Sequence, residues 1–130
     1  MKLVEEIALP NGLVAEVWDQ SRIIAADTTK VTLLVRIRLT LKEEFFSNPE
    51  QLRITQKVFG PDICYELKKE RTFVSNTEAW HVFKTFLEEF KRDALPYLSR
   101  DKFPAGFARS KYLDIRKHPY KYGLPVGKEG

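Results

Sequence analysis

Residues 30–42 carry the clearest pattern in the chain. Val31, Leu33, Val35, Ile37, Leu39 and Leu41 alternate with Thr32, Leu34, Arg36, Arg38, Thr40 and Lys42. Strand side chains alternate between the two faces of a sheet, so this run predicts a long strand with one buried and one solvated face. Coiled as a helix, the same six apolar residues would be smeared around the whole circumference. Upstream, two apolar-rich runs at 2–9 and 13–20 flank Pro10-Asn11-Gly12. Asn-Gly marks tight hairpins because both residues tolerate the positive φ of a type I′ turn, so these runs predict a β-hairpin. Asp19-Gln20-Ser21 interrupts the pattern, Ile23–Ala26 predicts a short strand or extended segment, and Asp27-Thr28-Thr29 predicts the turn after it.

Downstream, Asn48 stands as a cap before Pro49, and Gly60-Pro61 closes the segment, which predicts a short helix over 49–58. Residues 62–74 predict another strand, with Ile63, Tyr65, Leu67 and Phe73 on one face. Ser75 and Glu78 have capping-box spacing. At 100° per residue Ala79, Trp80, Val82, Phe83, Phe86, Leu87, Phe90 and Ala94 share one arc. This predicts an amphipathic helix over 76–94, laid on the apolar face of the sheet and ended by Pro96. A further helix is expected over 104–117, although its apolar residues do not share one face well, and His118-Pro119 stops it. The fold class is therefore α+β: an antiparallel sheet of four or five strands with one amphipathic helix (76–94) packed on one face and one or two short extra helices. Residues 1–117 are expected to form a single domain and 118–130 an extended or disordered tail.

The length of 130 residues suits one domain with a core of its own, and 43% hydrophobic with 31% charged residues is an ordinary globular balance. Cys64 is the one cysteine, so no internal disulfide forms, which fits a reducing compartment. Glu5-Glu6 fall where a secretion signal needs its apolar stretch, and no run approaches the roughly 18–20 apolar residues that span a bilayer. A cytoplasmic protein without membrane segments is expected.

Charge changes the picture at one end. Residues 1–101 carry 15 Lys/Arg and 16 Asp/Glu, whereas residues 102–130 carry 7 and 2, so the net charge of +4 belongs to the last quarter. There Arg109, Lys111, Arg116, Lys117 and Lys121 interleave with Tyr112, Tyr120 and Tyr122. Cations meet phosphates and aromatic rings stack on bases, so these eight residues are the candidate site for an anionic partner such as nucleic acid. The competing reading has the tyrosines anchoring the chain end on its own core while the lysines face water.

Catalytic chemistry is poorly supplied. Cys64, His81 and His118 are far apart and have no metal-ligand spacing. Glu5-Glu6, Glu43-Glu44 and Glu88-Glu89 are adjacent pairs whose side chains diverge, which suits solvated faces rather than acid–base work. No metal and no cofactor is expected. Asp19, Ser21, Arg22 and Asp27 gather polar types in the 19–29 loop region and form an alternative site for a small molecule or a reaction; their usual role is to satisfy local backbone groups. The leading expectation is a small non-catalytic interaction or adaptor module that binds a protein partner, or itself through an uncovered strand edge or sheet face. A polyanion binder and a small-molecule binder or enzyme are the alternatives.

Overall fold

The computed structural model of the chain describes residues 1–123. Contacts divide it into two compact units, one of Met1–Arg38 and Cys64–Asp101, the other of Leu39–Ile63 and Lys102 onward.

The architecture is α+β, built on an antiparallel sheet of five strands: β1 (Lys2–Ala8), β2 (Val14–Asp19), β3 (Arg22–Ala25), β4 (Thr28–Thr40) and β5 (Asp62–Ser75). In the first unit β2 and β3 lie end to end on one side of β4. Asp19 faces Leu33 and Arg22 faces Lys30, so the register is kept across the break. The Gln20 N–H donates to Thr32 O (3.0 Å), and the Ser21 hydroxyl accepts from the Thr32 N–H (3.0 Å), so a side chain fills a gap in the ladder. β5 takes the other side of β4. Arg36 meets Glu66, Lys30 meets Glu70, and the Asn76 N–H donates to Asp27 O, which fixes an antiparallel alignment. The result is a meander of β1, β2 with β3, β4 and β5.

The hairpin between β1 and β2 forms at the expected place with a different turn. The Gly12 N–H donates to Leu9 O (3.0 Å), and only Gly12 takes a positive φ, +90°, while Asn11 stays on the negative side. Asn11 is released for another task. Its Nδ2 donates to Leu98 O and Arg100 O, both at 2.9 Å, and its Oδ1 accepts from the Leu13 N–H.

Val31, Leu33, Val35 and Ile37 of β4, with Ala15 and Val17, are buried on one face of the sheet, and α2 (Ala79–Glu89) follows β5. Arg71 lies over the Phe86 ring and Lys69 pairs with Glu89, which sets the helix on that face. The expected helix starts three residues late and outruns its expected stop. The 75–78 segment is a turn tied to the β3–β4 connection: Asn76 Nδ2 donates to Ala26 O, and the Thr29 hydroxyl donates to Asn76 Oδ1. Past Phe90 the helix widens to a π turn over Phe90–Ala94, then continues as α3 (Leu95–Leu98) through Pro96. A proline lacks an N–H, and its ring crowds the carbonyl one turn back; an i→i+5 turn just before it is a local adjustment of the kind that accommodates both.

Phe73, expected on the inner face of its strand, and Trp80, expected in the apolar arc of the helix, both lie outside the core. Phe73 has φ +58° and is 83% exposed, so the chain rotates there and Val74 turns inward in its place. Trp80 is 58% exposed and stacks on Phe83, which is buried. Phe83, Phe90, Leu33, Val35, Ile37 and Leu39 are core residues as expected, and Leu98, Phe86 and Val82 join them.

The second unit holds α1 (Pro49–Phe59) and α4 (Phe103–Lys117). The Asn48 side chain accepts from the Gln51 N–H (3.0 Å), Pro49 opens the helix, and Gly60 at φ +83° ends it. In α4, Pro104, Ala108, Tyr112 and Ile115 are buried at spacings of four, four and three, so its apolar residues do share a face. A 3-10 turn covers Pro119–Tyr122. Residues 124–130, the rest of the expected tail, lie outside the described residues.

Candidate functional site

The residues singled out in the 19–29 region spend their polar atoms locally. Asp19 Oδ1 accepts from the Ser21 N–H (2.8 Å), Ser21 fills the ladder to Thr32, and Asp27 Oδ1 accepts from the Thr28 hydroxyl (3.0 Å). Asp19 and Asp27 stand at opposite ends of β3, so the segment does not converge its carboxylates on one point. Arg22 is exposed and has no ion-pair partner among the described residues.

The C-terminal candidates separate into two groups. Tyr112 is 6% exposed and belongs to the core. Lys111 is sandwiched, its Nζ 5.4 Å from the ring centres of both Phe59 and Phe107. Tyr122 sets its ring edge against Phe59 (5.5 Å) and donates its hydroxyl to Asp114. Lys121 also reaches Asp114, at 3.5 Å. The Tyr122 hydrogen bond, followed by the Lys121 charge, holds the Asp114 carboxyl below the usual range, and the same bond pushes the Tyr122 hydroxyl up. Tyr122 and Lys121 thus fasten the segment after α4 onto α4, and Tyr122 and Lys111 both meet Phe59 of α1. The second group faces outward. Arg109, Arg116 and Lys117 are exposed along α4 with Lys102 before it and Tyr120, 68% exposed, after it. Gly106 and Leu113 lie on the same face. Lys102, Arg109 and Lys117 have no ion-pair partner among the described residues.

Sequence reasoning passed over a third feature. All six residues from Arg22 to Asp27 are exposed, and they include Ile23 at 69% and Ile24 at 39%. β3 pairs only with β4, and β1 ends opposite β2, so the outer edge of β3 is open. Ile24 is the extra residue of a bulge between Ile23 and Ala25. On β5, across β4 from β3, stands the exposed Phe73. Its left-handed backbone is unusual for an aromatic residue and costs about 1–2 kcal/mol. The apolar identity of Ile23-Ile24 was legible in the sequence; that nothing covers them was not.

The other sheet edges are guarded. The outer strand β5 carries Glu66, Lys68, Lys69, Glu70 and Arg71 in its middle. β1 is bulged at Val4 and holds Glu5 in an ion pair with Lys91. Charges and bulges of this kind discourage edge-to-edge pairing.

Among the described residues no group of three or more His, Cys, Asp or Glu could hold a metal ion, and no helix is long and apolar enough to cross a membrane. Cys64 is half-buried and its thiol donates weakly to Tyr65 O (3.6 Å). Comparison with family models, with curated proteins and with solved structures returns no match for this chain.

Proposed function

We propose that this chain is a non-catalytic protein-interaction module that binds through the β3 end of its sheet. One observation carries the reading: Arg22–Asp27 is a run of six exposed residues, Ile23 and Ile24 among them, that covers β3 and the turn after it, and the outer edge of β3 is unpaired. An open edge offers backbone donors and acceptors, and adjacent apolar side chains reward burial at about 25 cal/mol per Å². Phe73 adds to the reading, because a strained, solvent-facing aromatic lowers stability without helping the core. Asp19, Ser21, Thr28 and Thr29 spend their polar atoms on hydrogen bonds within the chain, and the two carboxylates of the region do not converge, which leaves little there for chemistry.

The test compares affinity capture from the native host by the wild-type chain and by Ile23→Lys and Phe73→Ser variants. Captured proteins are then purified and titrated against each chain by calorimetry. The reading expects a partner whose binding drops at least tenfold in the Ile23→Lys variant while its urea melt is unchanged. A partner that binds all three chains equally would overturn it.

A second reading rests on a separate observation, the outward face of α4, where Lys102, Arg109, Arg116 and Lys117 accompany Tyr120. Counted over residues 102–123, six Lys/Arg stand against Asp114 alone. This arrangement suits the backbone of a nucleic acid or another polyanion. Fluorescence anisotropy with labelled single-stranded RNA across a salt series tests it: a steep salt dependence lost in an Arg109→Gln/Lys117→Gln variant supports it, and a flat response removes it.

A further inference from the structure

We infer that the partner of the β3 edge is a second copy of this chain, paired antiparallel through Arg22–Asp27 about a two-fold axis near Ile24. The inference rests on the interaction-module reading and names the occupant of its surface.

The segment reads Arg22-Ile23-Ile24-Ala25-Ala26-Asp27, with a cation at one end, an anion at the other and only apolar residues between. Turned antiparallel against itself, such a segment sets Arg22 of each copy alongside Asp27 of the other, with Ile24 facing Ala25 on either side of the axis. The two-fold axis makes the match twice over, as an isologous interface requires. Both charges are available for it. Arg22 has no ion-pair partner among the described residues, and the Asp27 carboxylate takes only the Thr28 hydroxyl. Lys30, across from Arg22, is already held by Glu70 at 3.2 Å.

The backbone is oriented for the same pairing. The Gln20 N–H donates to Thr32 O, so in this antiparallel register Gln20 and Arg22 direct their backbone groups toward β4. Alternation then turns the Ile23 N–H and C=O toward the open edge. The bulge at Ile24 limits ladder bonds across the axis to those of Ile23, so the isoleucine side chains and the two charge pairs carry the rest of the contact. The charges along β5 and the Glu5–Lys91 pair on β1 direct association to β3, which has only apolar residues between Arg22 and Asp27.

Sedimentation equilibrium over a concentration series at low salt tests the inference with the full chain. The wild-type chain is expected to dimerise. Arg22→Asp and Asp27→Arg, each alone, are expected to weaken dimerisation roughly tenfold or more, since each reverses two exposed ion pairs. Mixing the two variants is expected to restore association as a heterodimer, because Arg22→Asp supplies two anions where Asp27→Arg supplies two cations. The double variant is expected to self-associate again. A wild-type chain that stays monomeric to millimolar concentration overturns the inference and leaves the module reading to be judged by its own captured partner. A dimer indifferent to both reversals, or a mixture that fails to associate while both variants melt like the wild type, also overturns it.

Discussion

Trp80 and Phe83 are neighbours in one aromatic stack, yet their removal should cost very different amounts. Phe83 is 1% exposed and Trp80 is 58% exposed, with ring centres 5.5 Å apart and planes 10° apart. Phe83→Ala empties a volume enclosed by the sheet and helix, for which about 3–5 kcal/mol is expected. Trp80→Ala opens no cavity. It loses one stacked pair, worth roughly 0.5–1.5 kcal/mol, and part of its apolar contact, so a cost near ~1 kcal/mol follows. Urea melts followed by far-UV circular dichroism measure both, with the slope checked for a constant exposed surface. In the Phe83→Ala background the stacking term is gone, so adding Trp80→Ala should cost less than it does alone. If Trp80→Ala destabilises as much as Phe83→Ala, the ring is buried and its placement outside the core is refuted.

Other consequences are open to direct measurement. Phe73→Asn should stabilise the protein by roughly 0.5–1 kcal/mol, since asparagine tolerates the φ of +58° that the phenylalanine occupies; a loss above about 1 kcal/mol would mean that the ring is held by contacts after all. Asn11→Ala removes two hydrogen bonds to Leu98 O and Arg100 O and should cost about 1–2 kcal/mol, with faster amide exchange over 95–100; unchanged exchange there would refute the tie. The Asp114 carboxyl is held below its ordinary value by Tyr122 and Lys121, so its contribution is present above the unfolded carboxylate pKa and lost as pH falls through the lower folded value. Near-ultraviolet dichroism of the tyrosines should therefore hold from pH 7 to roughly pH 4 and change below it, and an Asp114→Asn chain should lack that step; an identical profile in both would refute it.

The strand of 30–42, the hairpin about Asn11-Gly12 and the caps at Asn48 and Gly60 were legible because each depends on a period or a single residue's backbone preference. The same local logic identified the amphipathic helix, since its apolar arc is a property of consecutive residues. It failed where a distant segment competes with a local signal. Ser75 and Glu78 have capping-box spacing, but Asn76 is engaged by Ala26, Asp27 and Thr29, so the helix starts at Ala79. Pro96 carries a local stop signal, but the π turn before it allows the helix to run on to Leu98.

The candidate surfaces divide in the same way. The basic and aromatic composition of the C-terminal segment was plain in the sequence, whereas its sorting into anchors (Lys111, Tyr112, Tyr122) and an outward row (Arg109, Lys117, Tyr120) was not. Which ring reaches Phe59 depends on where α1 and α4 meet in space. Likewise a pair of isoleucines in a short strand reads as core until the strand order leaves its edge bare. The chain's own order of residues thus determined the periods, the turns and the sum of charge, because these act over a few neighbouring positions. Exposure at β3, the rotation at Phe73 and the fastening of Tyr122 were decided only by tertiary structure, because burial is a relation between segments far apart in sequence.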